Sequence, residues 1–125
     1  MVEVLKITDE DVIKSVYATK NIEYNCGDML IAATENGNII GQILFSANRE
    51  AVTLKFAEPS EDILLLDGLV RSMLHFASEN CIVKAFYEDT APVEKLKKLS
   101  FIEDFDNKSL KMLGLLGSCA NCKNK

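Results

Sequence analysis

Between residues 62 and 80 the apolar side chains recur at helical spacing: Ile63, Leu66, Val70, Met73 and Ala77 form one stripe, widened by Leu69 and Phe76. The opposite stripe, Gly68, Arg71, Ser72, His75 and Glu79, is polar. A helix so divided must lay its apolar face on another layer, and the rest of the chain offers strands for that purpose. Residues 2–7 alternate apolar and polar side chains, as a strand with one buried face does. Glu35-Asn36-Gly37-Asn38 carries the Asn-Gly signal of a tight turn, so residues 29–34 and 39–47 read as a hairpin. Asn48-Arg49-Glu50 is a second turn, and residues 51–57 complete an antiparallel meander.

Shorter elements fill the gaps. Thr8 reads as a hydroxyl N-cap followed by acids in the first turn, and Val12, Ile13, Val16 and Tyr17 share a face of the helix that follows, to about Asn21. Pro59-Ser60 breaks the third meander strand, and Glu61-Asp62 opens the long helix. Residues 81–87 form an apolar strand, Thr90-Ala91-Pro92 starts a short amphipathic helix through Leu99, and residues 101–116 read as a closing pair of strands turning at Asp106-Asn107. The order β-α-β-β-β-α-β-α-β-β predicts an α/β fold: a mixed, mostly antiparallel sheet with helices on both faces. Residues 1–117 are expected to form a single domain, with 118–125 as a polar, cysteine-containing tail.

Composition limits the function. The longest aliphatic run, Ile63-Leu64-Leu65-Leu66, is far too short to cross a membrane. The amino terminus lacks a signal peptide's basic start and apolar stretch, so the chain reads as cytoplasmic. A net charge of −5 argues against nucleic acid as a partner. The charge is uneven, −6 over residues 1–62 and +1 over 63–125, so a phosphate-bearing ligand should prefer the second half. The four cysteines do not make a disulfide scaffold in a chain with this much core. Cys81, at the head of an apolar run, reads as a small buried side chain. Cys119 and Cys122 are spaced as half a zinc site or as a redox pair, and equally as a reduced tail.

The element order resembles the GNAT superfamily of acetyl-coenzyme A-dependent acetyltransferases, shortened near its first helices. Three segments carry the resemblance: Gly37-Asn38-Ile39-Ile40-Gly41, Gly68-Leu69-Val70-Arg71-Ser72-Met73-Leu74, and Leu96-Lys97-Lys98-Leu99-Ser100-Phe101, with Ser100 where glycine is usual. The resemblance implies an acyl-CoA-dependent N-acyltransferase acting on an amine of a small molecule or peptide. It places acetyl-CoA or another acyl-CoA between residue 57 and the strand at 82–87, against Phe56, Ala57, Leu66, Gly68, Leu69 and Arg71.

The family holds pyrophosphate where its main helix begins, on a motif of Arg or Gln, two residues, Gly, one residue, and Gly or Ala. The corresponding places here are Ile63, Leu66 and Gly68, and only Gly68 keeps the pattern. Glu58, Glu61 and Asp62 add negative charge beside it. A non-catalytic binding or regulatory module that has lost the phosphate loop is therefore the alternative. Glu58, at the end of the strand before the main helix, matches the family's base; a solvated surface carboxylate would look the same in sequence. The family's thiolate-protonating tyrosine falls at Leu96. His75 lies on the polar stripe within reach of Arg71 and Glu79, where surface pairing is expected. The acceptor pocket would be lined by the first helix and residues 21–28, and an open strand edge after Leu110 would allow a homodimer.

Overall fold

The structure is a computed structural model, and it describes residues 2–112. Its elements are β1 (Val2–Ile7), α1 (Glu10–Thr19), β2 (Met29–Glu35), β3 (Asn38–Ala47), β4 (Ala51–Glu58), α2 (Ile63–Glu79), β5 (Lys84–Tyr87), α3 (Val93–Lys98), β6 (Ile102–Asp104) and β7 (Ser109–Leu110). The strands form one sheet in the order β1-β2-β3-β4-β5-β7-β6. Every neighbouring pair is antiparallel except β4 and β5, which the crossover through α2 makes parallel. The expected α/β architecture is thus the observed one.

Strand alternation divides the core between the two faces. Ile31, Ile43 and Phe45 turn toward α2, meeting Leu66, Leu69, Val70, Met73 and Ala77. Their neighbours Leu30 and Leu44 turn the other way, onto Ile13 and Tyr17 of α1. Each fully buried Leu or Met on the α2 stripe contributes about 1.5–3 kcal/mol by leaving water. Val12 departs from expectation: it is 43% exposed, while Ile13 and Tyr17 are buried and Val16 packs beside them.

The ends of elements differ most from the sequence reading. Asp9, not Thr8, caps α1, its carboxylate accepting the N–H of Asp11 at 3.0 Å. The strand expected from residue 81 starts only at Lys84. Cys81 has φ of +60°, left-handed backbone that a strand cannot contain, and it is half-buried rather than buried. The closing strands β6 and β7 are short, and β7 lies between β5 and β6. Among the described residues the sheet's outer strands are β1 and β6; most of the stretch after Leu110, where an open edge was expected, lies outside the described residues.

Two irregularities shape the molecule's upper end. In β4, Leu54 faces Phe45 and Phe56 faces Leu44, so Lys55 is an extra residue, a β-bulge. The pairing of β4 with β5 ends at Leu54 and Tyr87, followed by one bond from the Glu88 N–H to the Leu54 carbonyl at 2.9 Å. Beyond it the last turn of β4 and the chain leading to α3 part company.

Candidate functional site

A cleft of about 390 Å³ opens where β4 leaves β5. Phe56, Ala57 and Glu58 line it from β4, Ile40 and Gly41 from β3, and Thr90 and Pro92 from the chain before α3. The Thr90 hydroxyl donates to the Lys55 carbonyl and so tethers the far wall to the bulge. Gly41 has a local reason to be glycine: a Cβ there would stand 2.9 Å from the Glu58 carbonyl oxygen and 3.1 Å from Pro59 Cδ. Without a side chain at residue 41, the end of β4 can close over β3.

Glu58 sits at the cleft's mouth with its carboxylate held in place. Gln42 Nε2 donates to its Oε2 at 2.7 Å, and Lys20 Nζ lies 2.9 Å from the same oxygen. Both donors use one oxygen, so the carboxylate is held in one orientation at the cleft.

A coenzyme's diphosphate needs free N–H groups and positive partial charge at a helix start. At α2 the start is capped by an acid: Asp62 Oδ1 accepts one of those donors, the Leu65 N–H, at 3.1 Å, and sets a negative charge where an anion would approach. Gly68 lies inside α2, past its first turn. The charged residues lining the cleft are Glu58 and Glu61, both acidic. The residues present therefore do not fit a diphosphate at this helix start, whereas the uncharged wall along β4 is open.

Of the residues singled out from sequence, Phe56, Ala57 and Glu58 come together in the cleft. Leu66 and Leu69 are fully buried in the core beneath α2. Arg71 points along the helix surface, its Nε 2.8 Å from Asp67 Oδ2. Leu96 and Tyr87 are core residues. His75 pairs with Glu79 at 3.5 Å on the exposed face. Among the described residues no cluster of His, Cys, Asp and Glu could hold a metal, and Cys119 and Cys122 lie outside them.

One polar group escaped sequence reasoning. The bulge turns Lys55 toward α1, where its Nζ lies 2.5 Å from Asp28 Oδ2 and 3.2 Å from the Glu23 carbonyl. Both side chains are buried, at 5% and 4% exposure. Asp28 Oδ2 also accepts the Asn25 N–H at 2.8 Å, so the pair pins residues 23–28 to the sheet. Tyr17 lies beneath it, its hydroxyl donating to the Met29 carbonyl at 2.6 Å; burial, and then the Asp28 charge, push its ionisation well above the ordinary tyrosine range. A lysine between Leu54 and Phe56 was the available signal.

No protein-family model matches the chain, and no curated protein does. Solved structures do match. A ribosomal-protein-alanine N-acetyltransferase from Brucella melitensis biovar Abortus 2308 is similar over 84% of this chain and 95% of its own, at 14% identity and a TM-score of 0.63. The ribosomal-protein-S18-alanine N-acetyltransferase of Escherichia coli is similar over 91% and 97%, at 10% identity and a TM-score of 0.58. A GNAT family acetyltransferase from Elizabethkingia anophelis with acetyl-CoA bound is similar over 82% and 78%, at 16% identity and a TM-score of 0.56. The fold is that of the GNAT acetyltransferases. At these identities the likeness establishes the fold, and the chemistry has to be argued from the cleft.

Proposed function

We propose that this chain is an N-acyltransferase that moves an acyl group from a thioester to an amine of a small molecule or peptide. The observation that carries the reading is Glu58, anchored by Gln42 and Lys20 at the mouth of the cleft where β4 leaves β5. An ammonium acceptor must lose a proton before its nitrogen can attack, and the Glu58 carboxylate stands ready to take it. The acceptor nitrogen then bonds to the acyl carbon as the carbon–sulfur bond breaks, and the departing thiolate takes a proton from water. No hydroxyl stands at Leu96 to supply that proton, because Leu96 is a buried aliphatic residue. The relatives' printed activities, acetylation of ribosomal-protein alanine among them, fit a peptide amine as acceptor.

The test is acyl transfer by the full chain from acetyl-CoA or acetyl-pantetheine to a panel of primary amines, followed by thiol release. Glu58→Gln should lower the rate by about 10²–10⁴-fold, the usual contribution of a positioned base. Unchanged turnover in that variant would remove Glu58 from the chemistry. The second reading, a binding module without turnover, is favoured by the acidic cap at the start of α2 and by Leu96. It predicts ligand binding with no thiol release at any amine concentration.

A further inference from the structure

The two ends of the cleft differ in what they can recognise. Along β4, pairing to β5 stops at Leu54. Thr90 covers the Lys55 carbonyl, which leaves Phe56 to Glu58 as an open strand edge beside the apolar surfaces of Ile40 and Pro92. An extended, uncharged chain carrying amides can add to such an edge as another strand would. At the α2 end the chemistry is reversed. The Asp62 carboxylate occupies the position where an anion would meet the helix, and Glu58 and Glu61 stand beside it.

We infer that the cleft takes its acyl donor by the pantetheine arm alone, and that the nucleotide half of coenzyme A adds nothing to affinity. This rests on the acyltransferase reading above. It narrows the donor class to acyl thioesters of a pantetheine arm, whether that arm ends in a nucleotide or not. The ADP portion of a bound coenzyme would lie outside the cleft, in solvent, with no contact to the first turn of α2.

The experiment is a titration of the isotopically labelled full chain with acetyl-CoA, acetyl-pantetheine and inorganic pyrophosphate, followed residue by residue in amide spectra. Both thioesters should move the amides of Phe56, Ala57, Glu58 and Thr90, with dissociation constants within about threefold of each other. The amides of Ile63, Leu64, Leu65 and Leu66 should stay in place, and pyrophosphate should move none of these. A preference for acetyl-CoA of about tenfold or more, or a response of the Ile63 to Leu66 amides to acetyl-CoA or pyrophosphate, overturns the inference. So does silence toward acetyl-pantetheine. The two readings fail separately: a strong preference for acetyl-CoA with transfer intact sinks this one alone. Equal binding of both thioesters without transfer sinks only the acyltransferase.

Discussion

Lys55 does three things at once because it is the extra residue of a bulge. Its backbone interrupts the register between β3 and β4, its carbonyl receives Thr90, and its side chain reaches Asp28 beside α1. Removing one partner of a buried ion pair strands the other charge, at a cost of about 3–5 kcal/mol. Lys55→Met should therefore destabilise the chain by that amount, and adding Asp28→Asn should restore much of the loss. Denaturant unfolding of the single and double variants checks this. A Lys55→Met protein within about 1 kcal/mol of the parent would show that the pair is solvated and contributes little. The lysine was visible in the sequence as a charge among apolar residues, but its partner was not. Asp28 is distant along the chain and looks like any loop acid until the bulge turns the lysine toward it. The resemblance picked out Glu58 as the residue that ends the strand before the main helix, while Gln42 and Lys20, which hold it, come from other elements and left no local sign.

At the scale of elements, periodicity carried most of the fold. The α2 stripe was readable because it repeats over several turns, and the three-strand meander because turn residues bound its apolar runs, which are buried along their middles rather than alternating. Ends were less readable, since a cap or a left-handed residue is one position decided by close competitors: Thr8 and Asp9 are both good caps, and Cys81 cannot announce its φ of +60°. The packing of β3 under the end of β4 was likewise hidden. Gly41 looked like part of a turn motif, whereas its role is steric. Gly41→Ala would put a methyl group 2.9 Å from the Glu58 carbonyl and 3.0 Å from Leu65 Cδ2. Leu65 can swing away; the backbone carbonyl cannot without shifting β4. The variant should lose about 1–3 kcal/mol, as overpacked sites do. It should also change the amide signals of Glu58 and Pro59's neighbours in an otherwise folded spectrum. A melting temperature equal to the parent's would mean that β4 ends further from β3 than the structure places it.

For the molecule as a whole, the splay of β4 from β5 and the acidity of the chain combine into one measurable property. The net charge is −5, and Glu61 and Asp62 stand at the α2 end of the cleft, outside which the nucleotide would lie, while Glu58 is paired with Lys20. A site built to clasp a diphosphate loses affinity as salt screens the attraction. Here the sign is reversed, because the nearest fixed charges repel the nucleotide while the pantetheine arm feels none of them. The screening length is about 10 Å at 0.1 M salt and about 3 Å at 1 M, so the repulsion should fade across that range. Acetyl-CoA should therefore bind more tightly as salt rises, approaching the affinity of acetyl-pantetheine, whose own binding should stay level. The readout is the stabilisation each ligand gives the folded chain, about 2.7 kcal/mol at a hundredfold excess over its dissociation constant. For a domain of this size that is a rise of several degrees in melting temperature, measured across a salt series with both ligands. A stabilisation by acetyl-CoA that shrinks with salt would reveal a basic clasp that Asp62, Glu58 and Glu61 do not provide, and the Asp62 cap on α2 would have to open on binding.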